Sequence, residues 1–501
     1  MGIANGMKKV NLTLLLCFFI AAAFSQALFN NNGADIYIKD GGFMIIKTNS
    51  LHNNVSGGAG KIDNQGTIVV EGNVINDAPI SGNGDTIKLQ GDWINDNAYT
   101  GSSSWVDMYG GNQMITGTAV TTFDNLNLGG GAVVKQQTID AITAGQLQLN
   151  DAELATDANE MLVSNTALTA ITRNNGFASS LGAGKLSRAT NISATYLFPV
   201  GSPSYNNGPS IYRPIEMTPV AAAANIYGAC LVKGDATNDG YDVNTLDDVL
   251  CKVNPNFYHR LYHNTGSDAT ALAMFYDPAT DGDWTDQGHW KGGMWSYIAP
   301  ATAGTGNGFS SVSVASVSDF NPEPFALARK KFTVNAGPDV TITEGQSTII
   351  HTATGASGAT TIAWAPTTAL SCDNCANPTA SPLATTRYVV TVTDPAGCKS
   401  SDSLLVTVTD GILLVPTGFS PNNDGENDLF RVLNKNLGKF DLQVFNRWGE
   451  LVYETSDPTE GWDGTYKNMK QEVGVYVWQC TYVLAGDPVT KFAKGNVTLI
   501  R

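Results

Sequence analysis

A weak internal repeat with a period of about twenty residues is the feature that most constrains the fold of this chain. Residues 71–77 (EGNVIND) recur nineteen positions later as residues 90–96 (QGDWIND), and residues 125–128 (NLNL) recur twenty-one positions later as QLQL. Short alternating strands such as residues 66–70 lie between turns rich in glycine and asparagine. Because each unit of this length stacks on the next, residues 26–185 are predicted to form a right-handed parallel β-solenoid. The alternative is an irregular sandwich whose glycine-rich hairpins imitate a repeat.

Charge and composition narrow the class of protein. Charged residues make up 15% of the chain, against about a quarter in an average globular protein, which is typical of extracellular β-rich proteins. The formal net charge of -16 argues against nucleic acid or anionic lipid as a partner, because both require a basic patch. The 501 residues are enough for several domains, and the expected class is all-β and multidomain.

The N-terminus has the features of a secretory signal peptide. Lys8 and Lys9 precede an apolar run over residues 12–24, and Ala23 and Ser25 are small residues where a signal peptidase acts. Residues 1–25 are therefore predicted to be removed. The apolar run is short for a membrane span, and no later stretch is long and apolar enough, so no transmembrane segment is expected after signal removal.

Two further domains are predicted in the middle of the chain. The repeat ends near residue 186, and residues 186–330 are predicted to form a β-sandwich with proline-bearing edge strands. Residues 331–410 resemble a PKD-like or bacterial Ig-like module, in which Trp364 and Tyr388 would face each other across the core. Such modules are more often spacers than ligand binders.

Residues 411–501 contain five motifs in a fixed order. They are FSPNNDGEND at 419–428, FDLQVFNRWGELVYE at 440–454, GWDGTY at 461–466, GVYVWQC at 474–480 and KGNVTLIR at 494–501. Turn clusters rich in Pro, Asn, Asp and Gly separate alternating strands, so the segment is predicted to be a small antiparallel sandwich.

In this order the motifs resemble the gliding-motility-associated C-terminal domain of Bacteroidetes, the type B sorting signal of the type IX secretion system. The resemblance implies export across the outer membrane, the secretion machinery as partner, and a secreted or cell-surface location. Residues 468–473 depart from the family, which usually has glycine and proline in that turn. The alternative is an ordinary Ig-like stalk domain. The residues that carry the resemblance are Pro421, Asn422, Asp424, Gly425, Asn427, Asp428, Arg447, Trp448, Gly449, Trp462, Asp463, Gly464, Gly474, Tyr476, Lys494 and Gly495.

Within this domain, aromatic and charged residues are expected to have separate tasks. The core would be built by Trp448, Trp462, Tyr476 and Trp478. Exposed charges such as Arg447 and Arg501 would meet the secretion machinery.

Six cysteines remain after the predicted signal peptide, and an even number in an exported protein favours disulfides. Cys230 and Cys251 are close in sequence and are predicted to pair. Cys372 and Cys375 are expected to form a bridge with each other or with Cys398. A zinc site is disfavoured, because no second Cys pair or His pair follows at the required spacing.

Several clusters could in principle hold a ligand or a cation. Acids and tryptophans mix over residues 277–295, an arrangement that suits either a sugar site or a hairpin with buried aromatics. His259 and His263 share a strand face but lack a third ligand. Residues 234–242 begin like a calcium loop, yet Leu246 stands where a glutamate belongs, so a turn is expected. Asp424 and Asp428 are the calcium candidates, and no other cofactor is expected.

The functional expectation follows from what the motifs include and omit. No GxSxG, HExxH or P-loop spacing occurs, so no catalytic activity is expected. The chain is predicted to be an adhesive or structural cell-surface protein, since its repeat region is similar in composition to filament-forming adhesins. An extracellular glycan is a candidate partner. The alternative is a secreted polysaccharide-binding or polysaccharide-degrading enzyme that uses the N-terminal β-rich region.

Overall fold

The computed structural model describes residues 28–501 except 48, 58–59, 204–209, 321–322, 359, 410–412, 434–436 and 485–488. The predicted signal peptide and the predicted boundary at residue 411 lie outside the described residues. The chain divides into two compact units, Met1–Arg329 and Lys330–Arg501. Within the described residues no helix is long and apolar enough to cross a membrane.

Unit 1 begins with a β-solenoid of about eight turns, as the repeat predicts. Each turn gives one strand to each of three parallel faces. The first face contains Leu28–Asn32, Ser50–Asn54, Val74–Asn76, Trp93–Asn95, Gln113–Gly117, Val134–Gln137, Glu153–Ala155, Phe177–Ser179 and Val200–Gly201. The second face contains Phe43–Ile46, Thr67–Val70, Thr86–Leu89, Trp105–Met108, Asn125–Leu128, Leu147–Asn150 and Ile171–Arg173. The third contains Ile36–Ile38, Ile62–Asn64, Ile80–Gly82 and Tyr99–Thr100, then Thr121–Phe123, Ala141–Thr143, Glu160–Val163 and Lys185–Thr190.

The strand register reproduces both sequence repeats. Val74 pairs with Trp93, nineteen residues on, and Leu126 pairs with Leu147, twenty-one residues on. Side chains alternate between a buried and a partly exposed position along many of these strands, as in Thr67–Val70. The sequence period therefore equals the spacing between paired residues of successive turns. Equivalent residues must pair in register, because a shift by one residue would expose the side chains that are buried.

A ladder of buried asparagines fixes one corner of the solenoid. Asn31, Asn53, Asn76 and Asn95 occupy aligned positions of the first face, and all four side chains are buried. Asn31 Nδ2 donates to Asn53 Oδ1 at 2.8 Å and Asn76 Nδ2 to Asn95 Oδ1 at 2.6 Å. Buried amides require such partners, so the ladder explains why asparagine recurs at this position of the repeat.

The third face continues from the solenoid into the sandwich. Lys185–Thr190, its last parallel strand, pairs antiparallel with Asn225–Lys233, and the boundary predicted at residues 185–186 falls inside it. The same sheet goes on through Phe257–Thr265, Phe325–Lys330, Asp286–Lys291 and Met294–Tyr297, with Leu250–Val253 beside Phe325–Lys330. The opposing sheet contains Tyr196–Phe198, Ile215–Pro219, Thr270–Tyr276, Phe309–Val317 and Ala301–Gly306. One hydrophobic core extends through both parts.

Three short helices interrupt the strands of unit 1. Leu168–Ala170 and Ala236–Asp239 are 3₁₀ turns, and Pro278–Asp281 is a single α-helical turn. The chain is otherwise β throughout its described residues, which agrees with the predicted fold class.

Unit 2 begins with a small sandwich, the middle module (residues 330–409). Its main sheet contains Val340–Thr343, Lys399–Thr409, Thr386–Thr393 and Thr361–Ala365, and its short pairs are Val334–Asn335 with Ala353–Thr354 and Thr348–Ile349 with Thr379–Ala380. Trp364 and Tyr388 are both buried in its core. Trp364 Nε1 donates to the Cys375 carbonyl at 3.0 Å, and the Tyr388 hydroxyl to the Thr368 carbonyl at 3.0 Å.

The C-terminal domain (residues 413–501) completes unit 2. Its five-stranded sheet contains Gly418–Phe419, Lys491–Leu499, Gly474–Leu484, Leu437–Phe445 and Leu451–Thr455, and Thr465–Tyr466 pairs with Met469–Lys470. Gly418–Phe419 runs parallel to Lys491–Leu499, while the other pairs are antiparallel. A separate aromatic-rich core lies beneath this sheet.

Candidate functional sites

The loop at residues 419–428 is held by its own carboxylates. Asp428 Oδ1 accepts from the amides of Asn422 and Asn423 at 3.0 and 2.8 Å, and its Oδ2 accepts from the amide of Gly425 at 2.9 Å. Asp424 Oδ1 accepts from the amide of Glu426 at 2.8 Å. That amide holds the pKa of Asp424 below its usual value, because the hydrogen bond favours the ionised carboxylate.

The calcium site at Asp424 and Asp428 stays a prediction, and the structure shows which groups contact these carboxylates. Backbone amides donate to both oxygens of Asp428 and to Oδ1 of Asp424, and no group of three or more His, Cys, Asp or Glu side chains suited to a metal occurs among the described residues. Asn423, Gly425 and Asn427 adopt φ of +62°, +87° and +53°, a region where Asn and Gly are the least strained residues. These motif residues therefore specify the shape of the loop.

Trp462 forms the centre of the domain core, as predicted. Its ring lies 5.4 Å from Phe419 and 4.7 Å from Tyr476, centroid to centroid, and its Nε1 donates to the Thr465 carbonyl at 2.8 Å. Asp463 Oδ1 accepts from the Thr465 amide at 2.9 Å and shapes the turn that follows.

Two glycines of the motifs mark close packing. A Cβ atom on Gly464, where φ is +74°, would lie 3.1 Å from Leu499 Cδ1 and 3.2 Å from Pro421 Cγ. One on Gly495 would lie 2.7 Å from the Trp478 ring, which is closer than real Cβ contacts allow. Larger residues at either position would displace a neighbour in the core.

The strands around Gly495 also position Tyr476 and Lys494. Gly474, with φ of +151°, precedes the buried Tyr476, whose hydroxyl donates to the Glu472 carbonyl at 2.8 Å. Trp478 is buried as predicted. Lys494 is exposed on the neighbouring strand.

The structure contradicts the prediction that Trp448 belongs to the core. Its side chain is 85% exposed because it occupies the turn of a hairpin and not one of the flanking strands. Gly449 adopts φ of +80° and allows the chain to reverse. Asn446 Oδ1 accepts from the amides of Trp448 and Glu450, both at 3.0 Å. We call residues 446–450 the hairpin tip.

The two arginines that are expected to be exposed charges are both exposed, and both also form hydrogen bonds within the domain. Arg447 lies beside Trp448 and donates to Glu472 Oε2 at 2.5 Å. Arg501 donates to the carbonyls of Gln471 and Gly464 at 2.6 and 3.0 Å. Arg501 therefore ties the chain end to the loop at 464–471, while the Arg447 pair flanks the hairpin tip.

In unit 1, the cluster of acids and tryptophans over residues 277–295 serves local structure. Asp281 is buried and accepts from Arg213 Nε at 2.5 Å and from its NH2 at 3.0 Å. Asp277 caps the helical turn by accepting from the Ala279 amide at 3.0 Å, and Asp283 pairs with Arg329 at 3.1 Å. Asp286 is buried. Of the tryptophans, Trp284, Trp290 and Trp295 are all buried.

The two strand histidines have different environments. His259 is fully buried, with Nε2 2.8 Å from the Arg213 carbonyl oxygen, and burial lowers its pKa to about 4. His263 stacks on Tyr227 with ring centroids 4.5 Å apart, and burial lowers its pKa as well. Asp235 caps a 3₁₀ turn through the Thr237 amide at 2.8 Å, so the loop that resembles a calcium loop is a turn, as expected.

The cysteines partly depart from the predicted pairing. Cys230 is a free, buried thiol in the middle of the strand Asn225–Lys233, so the predicted bridge to Cys251 does not form. Its burial raises its pKa to about 11. Cys372 and Cys375 are joined by a disulfide, one of the two predicted alternatives.

The sequence analysis did not identify the outward side of the second solenoid face. Two columns of side chains run across its strands in register, and all of them are partly exposed. We call them the outer ladder: Thr67, Thr86, Trp105 and Asn125 in one column, and Val69, Lys88, Asp107, Asn127 and Gln148 in the other. Asp107 Oδ1 accepts from Asn127 Nδ2 at 2.7 Å, and its Oδ2 lies 3.7 Å from Lys88 Nζ. Counting alternate residues from the buried positions could have found it.

Comparison with known proteins identifies the C-terminal domain. Residues 413–499 match the CHU_C Type IX secretion signal domain. The chain thus carries a type IX secretion signal, which implies interaction with the secretion machinery, export, and a secreted or cell-surface location. A search of curated proteins returned no match.

Solved structures give only distant likenesses. The two Ig domains of DIP-gamma are 11% identical over 34% of this chain and 95% of theirs, with a TM-score of 0.15. Latent PorU from Porphyromonas gingivalis is 9% identical over 57% and 31%, with a TM-score of 0.14. SGBP-B of the Bacteroides ovatus mixed-linkage glucan utilization locus, in complex with a mixed-linkage heptasaccharide, is 10% identical over 63% and 91%, with a TM-score of 0.12. These likenesses are too distant to bear on the function of this chain.

Proposed function

We propose that this exported protein is a non-catalytic surface adhesin whose solenoid binds an extended polysaccharide. The observation that carries the proposal is the outer ladder. It is a regular surface on which polar side chains recur from strand to strand: hydroxyls of Thr67 and Thr86, amides of Asn125, Asn127 and Gln148, one ammonium (Lys88) and one carboxylate (Asp107), with Trp105 among them. Neighbouring strands lie about 4.8 Å apart, so the ladder repeats its polar groups at short intervals along one direction.

A polymer of sugar rings suits such a surface for two physical reasons. Its hydroxyl groups can exchange hydrogen bonds with amides such as that of Asn127 and carboxylates such as that of Asp107, which orient a ligand. The apolar C–H face of a sugar ring can pack on the ring of Trp105, which has both apolar area and a polar N–H. Strands joined in a continuous sheet keep these groups in fixed positions, which lowers the entropic cost of binding.

The middle module and the sorting signal complete the proposal. Residues 331–410 are a PKD-like or Ig-like spacer. The compact core around Trp364 and Tyr388 supports this role, because the side chains of the module form that core by themselves. The sorting signal is of type B, which is supported by the five ordered motifs of residues 419–501.

The test is to incubate the purified chain from residue 26 with a panel of plant and algal polysaccharides. Binding without cleavage supports the adhesin. Release of reducing or unsaturated ends would replace it with the polysaccharide-degrading alternative, which needs two carboxylates about 5 to 10 Å apart in a groove. Self-association without glycan binding would favour a purely structural role.

Trp105→Ala should weaken binding of any polysaccharide that the wild-type chain retains. Tyr37→Ala is the matched control, since Tyr37 is an exposed aromatic residue (61%) on the third face. Equal loss of binding in both variants would contradict the assignment to the outer ladder.

A further inference from the structure

We propose that the hairpin tip is the part of the sorting domain that the export machinery holds, with Trp448 as an anchor that enters an apolar pocket of a machinery protein. The proposal rests on the export function given by the type IX secretion signal. It assigns the contact to one side chain that sequence analysis had placed in the core.

The exposure of Trp448 is the first argument. It is the only tryptophan among the exposed large apolar side chains of the described residues, at 85%, whereas Trp462 in the same domain is 0% exposed. The middle module, which belongs to the same compact unit, does not cover the ring. Burial of a large exposed indole by a partner lowers the free energy of the complex.

The rigidity of the hairpin tip is the second argument. Asn446 accepts two amide hydrogen bonds through its side chain and exchanges two with the backbone, since its amide donates to the Glu450 carbonyl at 3.0 Å and its carbonyl accepts from the Gly449 amide at 3.0 Å. A third side-chain bond runs from Asn446 Nδ2 to Glu450 Oε2 at 3.1 Å. The domain therefore presents Trp448 on a pre-organised turn, and binding need not order a flexible loop.

The flank of the tip supplies polar groups beside the apolar anchor. Arg447 is paired with Glu472 at 2.5 Å, and both side chains are largely exposed. Glu472 is itself positioned because the Tyr476 hydroxyl donates to its carbonyl. An exposed indole whose neighbour in sequence is an arginine paired with a carboxylate has the composition of an interface hot spot, where Trp and Arg are enriched and polar groups form the rim.

The shape of the tip selects the class of partner. The indole projects from the hairpin tip, so the matching surface is a concave pocket lined by apolar groups. Hydrogen-bond acceptors at the rim of that pocket would bind the remaining donors of Arg447. A folded protein provides such a pocket. An extended polysaccharide does not, and it is better matched by the flat outer ladder of the solenoid.

The experiment compares full-length variants expressed in a bacterium that has a type IX secretion system. The fraction of chain at the cell surface and the fraction retained in the periplasm are measured by protease accessibility of whole cells and by fractionation. Trp448→Ala should weaken the contact about thirtyfold, as is typical when an anchor is truncated, and the chain should accumulate in the periplasm. Trp448→Phe retains an aromatic ring and should restore most of the export.

Phe492→Ala is the matched control, because Phe492 is a comparably exposed aromatic side chain (60%) of the same domain. It should be exported like the wild type. Thermal melting of each purified variant separates loss of recognition from loss of folding, and Trp448→Ala should melt with the wild type.

Normal export of Trp448→Ala would overturn the proposal, as would equal retention of Trp448→Ala and Phe492→Ala. Failure of Trp448→Phe to restore any export while Trp448→Ala melts normally would contradict the apolar-pocket assignment. Periplasmic retention of the wild-type chain is a separate outcome, because it would remove the export function on which the proposal rests.

Discussion

Replacing Trp462 by alanine should strongly destabilise the sorting domain, whereas the same change at Trp448 should leave its stability nearly unchanged. Trp462 is fully buried, packs against Phe419 and Tyr476, and donates a hydrogen bond to the Thr465 carbonyl. Truncating a buried Trp to Ala typically costs about 3–5 kcal/mol, and the lost hydrogen bond adds about 1 kcal/mol. Residues 413–501 would be expected to have about 5–13 kcal/mol of stability in total. Trp462→Ala should therefore remove a large part of the free energy of unfolding of this domain.

The assay is urea unfolding of residues 330–501, which form one compact unit, followed by tryptophan fluorescence. With a urea dependence of about 1–2 kcal/mol/M for a small domain, Trp462→Ala should lower the midpoint of the C-terminal transition by about 2 M or more. Trp448→Ala should change the free energy of unfolding by less than about 0.5 kcal/mol, as is usual at exposed positions. Equal midpoints for the two variants would refute the division between core and surface tryptophans.

Three further predictions follow from the structure. Asn76→Ala should destabilise unit 1 by about 1–3 kcal/mol in thermal unfolding, because it removes the partner of Asn95 from the buried ladder. The control, Asn83→Ala at an exposed turn, should leave the stability unchanged. Equal effects of the two substitutions would contradict a stabilising ladder. Burial lowers the pKa of His259 to about 4, below its value of about 6.5 in the unfolded chain. Between these pH values the unfolded state therefore binds more protons than the folded state. Unit 1 should lose about 3 kcal/mol of stability as the pH falls from about 6.5 to about 4. His259→Gln should remove most of that slope, and an unchanged slope would assign the pH dependence to other groups. The predicted calcium site at Asp424 and Asp428 should raise the melting temperature of residues 330–501 in calcium relative to chelator, by mass action. Equal melting temperatures would dismiss the site and leave these carboxylates as acceptors for the loop amides alone.

The solenoid could be predicted because the period of the sequence repeat equals the number of residues in one turn of the structure. The nineteen-residue and twenty-one-residue repeats correspond directly to the pairs Val74–Trp93 and Leu126–Leu147, because a stacked turn requires equivalent residues to align. Asn76 and Asn95 recur at equivalent positions of the sequence repeat, but only the structure shows that both are buried and that Asn76 Nδ2 donates to Asn95 Oδ1.

The misassigned residues show where sequence patterns lose information. Trp448 was placed in the core on account of its type, although the glycine that follows it already indicated a turn in which a side chain points away from the sheet. Cys230 and Cys251 were paired by closeness in sequence, which does not fix the distance or direction that a disulfide requires. The calcium prediction for Asp424 and Asp428 stays untested, and the structure adds that backbone amides a few residues away donate to the same oxygens.

The central claim is that the C-terminal region is sufficient to direct export, and a fusion tests it most directly. Residues 335–501 are joined to a fluorescent protein behind a signal peptide and expressed in a bacterium with the type IX system, together with a known type B cargo. We expect the fusion to reach the cell surface. Retention of the fusion in the periplasm, while the known cargo reaches the surface of the same cells, would contradict the account.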